Sequence, residues 1–193
     1  GLDEYQSIFT NHQMSYSSIT ELNGNKHFNF NDHNQQLFDI YSNEHNTGVP
    51  LGMPSFESTV NPLHQIQGLG PVILKVNELP ITASILTNVF GLNIFAEYHP
   101  YEDSTQAIQV FKIGEGGLGG ELHLYEAETE INNEDVGMIE QIEFSTQNKS
   151  EFENAKQTLD DIGIPYQTLE QDDSDSLRIT EKSGISFIYT LEK

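Results

Sequence analysis

The sequence contains no cysteine. That excludes a disulfide framework, a thiolate nucleophile and Cys-ligated zinc, and it is compatible with a reducing compartment. Tryptophan is absent too, which says little. Basic residues are scarce: eight Lys and Arg stand against 30 Asp and Glu, for a formal net charge of −22. Such a surface repels phosphate backbones and anionic lipid, so nucleic acid and membrane surfaces are excluded as partners. The charge reads first as a solvated, solubilising surface; an acidic interaction face or a halotolerant host would leave the same signature. No apolar run approaches the roughly 18 to 20 residues of a membrane span. No basic segment followed by an apolar one opens the chain, so no signal peptide is visible and the expected location is cytoplasmic. Gly1 leads and Met14 is the first Met, while Leu2 to Phe9 reads as the end of a helix entering a strand. The expectation is a fragment lacking its upstream part, with a cleaved tag as the equal alternative source of the leading Gly.

What is present supports a packed core. Hydrophobic residues make up 36% of the 193 residues, and eleven Phe and eight Tyr are too many for a disordered tail. Internal repetition is the informative feature. Val72-Ile73-Leu74-Lys75-Val76 is a β-branched apolar run and predicts a strand. Pro80 suits a first helical turn. Ile81, Ile85, Leu86, Val89 and Phe90 recur at helical spacing, and Gly91 stops the helix. Ile94 to Tyr98, Gln106 to Ile113 and Glu121 to Tyr125 predict strands, the last two joined by the glycine-rich turn Gly114 to Gly120. The same order returns about 70 residues later. Met138 to Phe144 predicts a strand. Ser150 with Glu153 forms a capping box. Phe152, Ala155, Leu159 and Ile162 line one helical face, which Gly163 closes. Pro165 to Leu169, Ser176 to Thr180 and Ile185 to Thr190 complete the unit, with the acidic turn Gln171 to Asp175 between.

Two βαβββ units therefore follow one another. Their amphipathic helices need a sheet to cover, so the fold class is α+β, with repeated βαβββ modules forming cupped mixed sheets. Upstream, His27 to Phe30 and Gln36 to Tyr41 predict the last two strands of an earlier unit, turning at Asp32-His33-Asn34. Asn46 to Ile66 holds Gly48, Pro50, Gly52, Pro54 and Pro62 and predicts a linker. The expected organisation is a module remnant over 1–46, a linker over 47–67, and modules over 68–130 and 131–193.

The ordered motifs Gln35 to Glu44, the Gly/Pro linker, Ile66 to Leu74, Leu86-Thr87-Asn88-Val89-Phe90-Gly91-Leu92 and Gly119-Gly120-Glu121-Leu122-His123-Leu124 carry a resemblance. Together they resemble the later two thirds of bacterial hydroquinone-type ring-cleaving dioxygenases. Those belong to the vicinal-oxygen-chelate (glyoxalase, bleomycin resistance and extradiol dioxygenase) superfamily. The resemblance implies a glyoxalase-like fold, a small hydroquinone- or catechol-like aromatic as substrate, and Fe(II) or Mn(II) as cofactor. Such a metal is bound by two His and one carboxylate, polarises the diolate and organises both reactants.

Carried onto this sequence, the ligand set is altered. The family's His-His pair on the first strand of the last module falls on Glu140-Gln141, and its carboxylate position falls on Ile188, which has no lone pair to donate. Glu140 retains an oxygen donor, and Asp39 and His123 both occupy last-strand ligand positions in their modules. Asp39, His123 and Glu140 are the candidate metal ligands; Pro71 offers no donor beside them. Against this stand an ordinary strand role for Glu140 and a hydrogen-bonded His–Asp pair between modules for Asp39 and His123. The remaining histidines, His12, His27, His33, His45, His64 and His99, show no metal-type spacing and are expected at surfaces or turns. The glycine-rich loop precedes a strand, so it is a hairpin turn and not a phosphate loop. Two functions remain: a ring-cleaving enzyme, or a module of the same fold that has lost its metal and holds a small molecule or a partner. An odd half-module exposes strand edges, so a homo-oligomer or association with a missing N-terminal module is also expected.

Overall fold

The computed structural model describes residues 1–100, 104–131, 139–170 and 173–192. The described residues form two compact units. One consists of Gly1–Val72 with Tyr98–Ser104 and Lys112–Leu122; the other of Ile73–Glu97, Thr105–Phe111 and His123–Lys193.

The first unit opens on helix α1 (Leu2–Asn11). The sequence predicted only a helix end here, entering a strand; instead the helix continues to Asn11, and a three-residue strand, β1 (Thr20–Leu22), follows unpredicted. It pairs antiparallel with β2 (Asn25–Asn31), which pairs antiparallel with β3 (Leu37–Tyr41). The β2–β3 turn closes on Asp32, whose Oδ1 accepts from the backbone N–H groups of Asn34 and Gln36. This is the side-chain mimicry of a turn that Asp provides. The core of the unit is aromatic. Phe28 is fully buried, and Phe9 meets Tyr5, Tyr16, Phe28 and Phe30 with ring centroids 4.7 to 6.4 Å apart. The linker beyond β3 is irregular except for a 3-10 turn at Pro62–His64, as its Gly and Pro content predicts.

The linker is nevertheless pinned. Val49 N–H donates to the Gly116 carbonyl at 2.7 Å, and Leu118 N–H donates to Asn46 Oδ1 at 2.7 Å. A Cβ on Gly117 would lie 1.8 Å from the Thr47 carbonyl oxygen, at a φ of +83°. The glycine-rich stretch is thus a turn whose missing side chains let another backbone approach.

The second unit carries two four-stranded sheets of the same strand order. In one, β4 (Val72–Val76), β7 (Glu121–Glu126), β6 (Ile108–Lys112) and β5 (Asn93–Tyr98) lie side by side in that sequence. In the other the order is β8 (Gln141–Thr146), β11 (Ser186–Glu192), β10 (Ser174–Thr180) and β9 (Gln167–Glu170). Here β8 runs parallel to β11 and the remaining pairs are antiparallel. First strand, last, third, second is the order of each repeat, so the two βαβββ units are structural duplicates.

Helix α2 (Leu79–Ser84) starts with Pro80 in its first turn and widens into a π-helical turn over Ile85–Val89, which buries Ile85, Leu86 and Val89. Gly91, at φ +67°, ends it. Helix α3 (Lys149–Ile162) is capped by Asn148, whose side chain accepts from the N–H groups of Ser150 and Glu151, rather than by the predicted Ser150–Glu153 box. Asn accepts from two orphan donors as readily as Ser, and the start moves two residues upstream. Gly163 closes the helix in the left-handed region. Phe152, Ala155 and Leu159 are buried; Ile162, predicted on the same face, is 46% exposed. Each large buried side chain contributes about 1.5–3 kcal/mol relative to exposure. Strand β8 begins at Gln141, later than predicted; Met138, Gln171 and Asp172 lie outside the described residues, and Ser174 and Asp175, predicted in a turn, belong to β10.

The two helices meet the sheet on one face. Phe90 lies 5.0, 5.9 and 5.4 Å from the rings of Phe144, Phe187 and Tyr189, and Phe152 stacks on Tyr189 at 5.8 Å. Below this layer Glu181, 6% exposed, closes the β10–β11 turn. Its Oε1 accepts from Ser183 and Ile185 N–H at 2.9 and 3.1 Å, and its Oε2 accepts from the Thr82 hydroxyl at 3.3 Å. Ser183 Oγ accepts in turn from Asn77 N–H at 2.7 Å, so the turn of one repeat is fastened to the start of the other's helix. No described helix is long and apolar enough to cross a membrane.

Candidate functional site

The first unit encloses an open cavity of about 380 Å³. Its wall combines one end of α1, the ends of β2 and β3, and the linker from Leu63 to Gly70. Phe30, Phe38, Ile40, Leu63, Ile66 and Leu69 make it mostly apolar, with Asp39 as the charged residue of the lining. That mixture is the usual composition of a small-molecule site.

Asp39 and Tyr41 belong to a network across the three strands. The register sets His27 opposite both Thr20 and Tyr41. His27 Nδ1 is 2.7 Å from Asp39 Oδ1, its Nε2 is 3.1 Å from Thr20 Oγ1, and its ring stacks on Tyr41 with centroids 5.2 Å apart. His27 was expected at a surface or turn; it is instead 9% exposed, because the cross-strand bonds satisfy both ring nitrogens. The Tyr41 hydroxyl is buried beside the Asp39 carboxylate without a hydrogen bond of normal geometry. Burial pushes its ionisation well above the ordinary phenol range, and the negative charge of Asp39, Tyr98 and Glu121 pushes it further. Tyr41 therefore stays a neutral donor throughout the physiological range.

The three predicted metal ligands fall on separate elements, Asp39 in the first unit and the other two in the second. Asp39 lies in β3 of the first unit, with His27 as its partner. His123 is buried in β7 of the second unit. Glu140 is exposed and falls just before β8, where its carbonyl accepts from Ser186 N–H at 2.9 Å. Among the described residues no group of three or more His, Asp or Glu could hold a metal ion. Ile188, at the position where a carboxylate would be needed, is buried and apolar. The donor set thus does not fit Fe(II) or Mn(II).

The face of the second repeat's sheet opposite α3, exposed at its flanking strands and buried along β11, is a second candidate. It carries Gln141 and Glu143 from β8, Ser186, Ile188 and Thr190 from β11, and Ser176, Arg178 and Thr180 from β10. Thr190 donates to Glu143 Oε1 at 2.6 Å and shares a 3.0 Å hydrogen bond with Ser176. Sequence reasoning passed over Tyr41, His27 and Arg178. The period-2 alternation that puts Arg178 with Ile188 was available in the sequence; the register that joins His27 to Asp39 and Tyr41 was not.

Comparison with protein-family profiles gives no match. A curated protein of Bacillus subtilis (strain 168), named as a candidate ring-cleaving dioxygenase, MhqA, is 30% identical over 125 residues, which is 65% of this chain and 38% of that protein. The chain therefore spans well under half the length of this relative. A crystal structure of a candidate dioxygenase from Bacillus subtilis subsp. subtilis str. 168 superposes with a TM-score of 0.66 at 16% identity, over 98% of this chain and 57% of that one. The fosfomycin resistance protein FosX of Listeria monocytogenes, an E126Q variant complexed with Mn(II) and 1S,2S-dihydroxypropylphosphonic acid, superposes with a TM-score of 0.51 at 17% identity. It covers 67% of this chain and 95% of its own.

Proposed function

We propose that this chain, which shares the fold of the dioxygenase-like and FosX structures, binds a small hydroxylated aromatic molecule without a metal. The observation that carries the reading is the cavity of about 380 Å³ in the first unit, walled by apolar side chains with Asp39 among its lining residues. A phenol hydroxyl both donates and accepts. It can donate to Asp39 Oδ2, since His27 engages Oδ1. The aromatic walls supply contact area for the ring.

The test is a titration with methylhydroquinone, followed by the intrinsic fluorescence of the tyrosines. Saturable binding is expected, weakened about five- to tenfold by Asp39→Asn, which takes the charge from the accepting group at a cost of about 1 kcal/mol. Absence of saturable binding would overturn the reading. A second reading, ring cleavage itself, is favoured by the similarity to MhqA. It requires three converging donors, which the described residues do not provide. Oxygen uptake by the Fe(II)-loaded protein in the presence of methylhydroquinone would establish it in place of the first.

A further inference from the structure

The chain has a single arginine among 30 carboxylates. Arg178 is exposed on β10, and among the described residues no carboxylate lies within ion-pair distance of it. In so acidic a protein a guanidinium with no carboxylate partner among the described residues has to be kept so by the structure. Two features do this. The first is a brace. Nε and Nη2 both donate to Ser186 Oγ, at 3.2 and 3.1 Å, and Ser186, 2% exposed, is itself fixed by a 3.2 Å hydrogen bond with Thr180. That uses the Nε side of the fork and leaves the Nη1–Nη2 edge free, the edge that receives a carboxylate bidentately.

The second is the handling of the nearest in-row carboxylate. The register aligns Gln167, Arg178, Ile188 and Glu143 across β9, β10, β11 and β8. Glu143 stands two strands from Arg178, roughly 10 Å away, beyond ion-pair reach. Its Oε1 is held by the Thr190 hydroxyl on its own side of the sheet. Ile188 lies between the two charges and is buried, while Leu169 in the neighbouring row is 40% exposed, so an accessible apolar side chain stands beside the guanidinium.

We propose that this face binds a small organic carboxylate, its two oxygens on the Nη1–Nη2 edge of Arg178 and its apolar body over Leu169. The same face carries Gln141 and Ile188, the positions where the resemblance to ring-cleaving dioxygenases calls for metal ligands. A fixed guanidinium on this face supplies a positive charge for oxygen anions in place of a metal ion. The braced geometry lowers the ordering cost of binding, because the side chain is already held in one conformation.

A single arginine gives a single side-chain Nε–H signal in a ¹⁵N correlation spectrum, so the site reports on itself. Benzoate is the probe and benzyl alcohol its neutral counterpart, with salt near 0.15 M to screen the chain's own charge. The expected result is a saturable shift of the Arg178 signal with benzoate, with a dissociation constant on the order of 1 mM, and none with benzyl alcohol. Arg178→Lys, followed on the backbone amides of β10, is expected to weaken binding about tenfold, since an ammonium cannot present the fork. Ser186→Ala keeps the charge and removes the brace; it is expected to weaken binding several-fold while leaving the backbone spectrum folded. A linear, non-saturating response to benzoate, an equal response to benzyl alcohol, or full binding by Arg178→Lys would each overturn the proposal.

Discussion

Replacing Glu181 tests the account of how the two repeats are fastened. Its carboxylate is nearly buried and accepts three hydrogen bonds, two from backbone N–H groups within its own turn and one from Thr82 of the other repeat. Glu181→Ala leaves all three donors without an acceptor. An unsatisfied buried donor costs about 1–3 kcal/mol, and water entering from the exposed Lys182 side relieves part of this, so a net loss of about 3 kcal/mol is expected. For a chain of this size that is a fall of about 6–12 °C in the melting temperature. Glu181→Gln keeps one accepting oxygen in place for the two backbone donors, and its amide can donate to the Thr82 hydroxyl, which reverses its role. The expected cost is below about 1 kcal/mol. Thermal unfolding followed by far-ultraviolet circular dichroism distinguishes the two. If Glu181→Ala melts within about 1 kcal/mol of the parent, or Glu181→Gln melts as low as Glu181→Ala, the carboxylate is not the fastening.

Gly117→Ala is expected to destabilise the first unit by more than about 2 kcal/mol, since the new Cβ would overlap the Thr47 carbonyl and carry a positive φ; Gly24→Ala, also at positive φ but with nothing within 4 Å, is expected to cost only about 1 kcal/mol. Urea unfolding of the two variants tests that ordering. Tyr41 has a raised folded-state ionisation, so below pH ~10 it is neutral in both states and contributes no pH dependence. Above that pH the unfolded chain releases a proton that the folded chain keeps, and stability falls by up to about 1.4 kcal/mol per pH unit from this residue. Melts of the parent and Tyr41→Phe between pH 9 and 11 are expected to diverge as pH rises, with the variant the more stable; parallel curves would refute the burial of that phenol. Asn148→Ala is expected to cost about 1 kcal/mol of the stability of the second unit, where Ser150→Ala costs little, as measured by chemical denaturation.

Much of the fold was legible because its signals are local. Val72 to Val76 reads as a strand from its β-branched run, and the structure places β4 on those residues. Gly91 and Gly163 end helices because only a residue without Cβ takes positive φ freely, and both do so here. The repeat order was legible because a helix-period segment between strand-period segments recurs in the same sequence. The failures are equally physical. Strand β1 has three residues, Thr-Glu-Leu, too few to show a period, and it exists because β2 offers it an edge. The α3 cap was misplaced because Ser150 and Asn148 are both good acceptors, and the choice between them depends on where the chain leaves β8. His27 was misjudged because its partners, Thr20, Asp39 and Tyr41, are brought to it by cross-strand register and not by spacing.

The candidate site divides along a line drawn by the pleat. On β11, Phe187 and Tyr189 face the helices, and their rings pack with Phe90, Phe144 and Phe152. Ser186, Ile188 and Thr190 face the other way. Alternation with a period of two makes these sets nearly independent: a change on one face leaves the packing of the other intact. The helix-side set holds the repeat together, so the fold stays recognisable at the 16% identity of the superposed dioxygenase-like structure. The opposite set takes no part in that helix-side packing. Ile188 can stand where a metal ligand is expected, Gln141 where a histidine is, and Arg178 on the same face, without disturbing the contacts with the helices. Fold and chemistry are thus written on alternate residues of the same strands. For this chain the similarity to the dioxygenase-like and FosX structures therefore bears on the architecture, while the chemistry has to be read from Arg178 and Ser186 on one face and from Asp39 in the cavity.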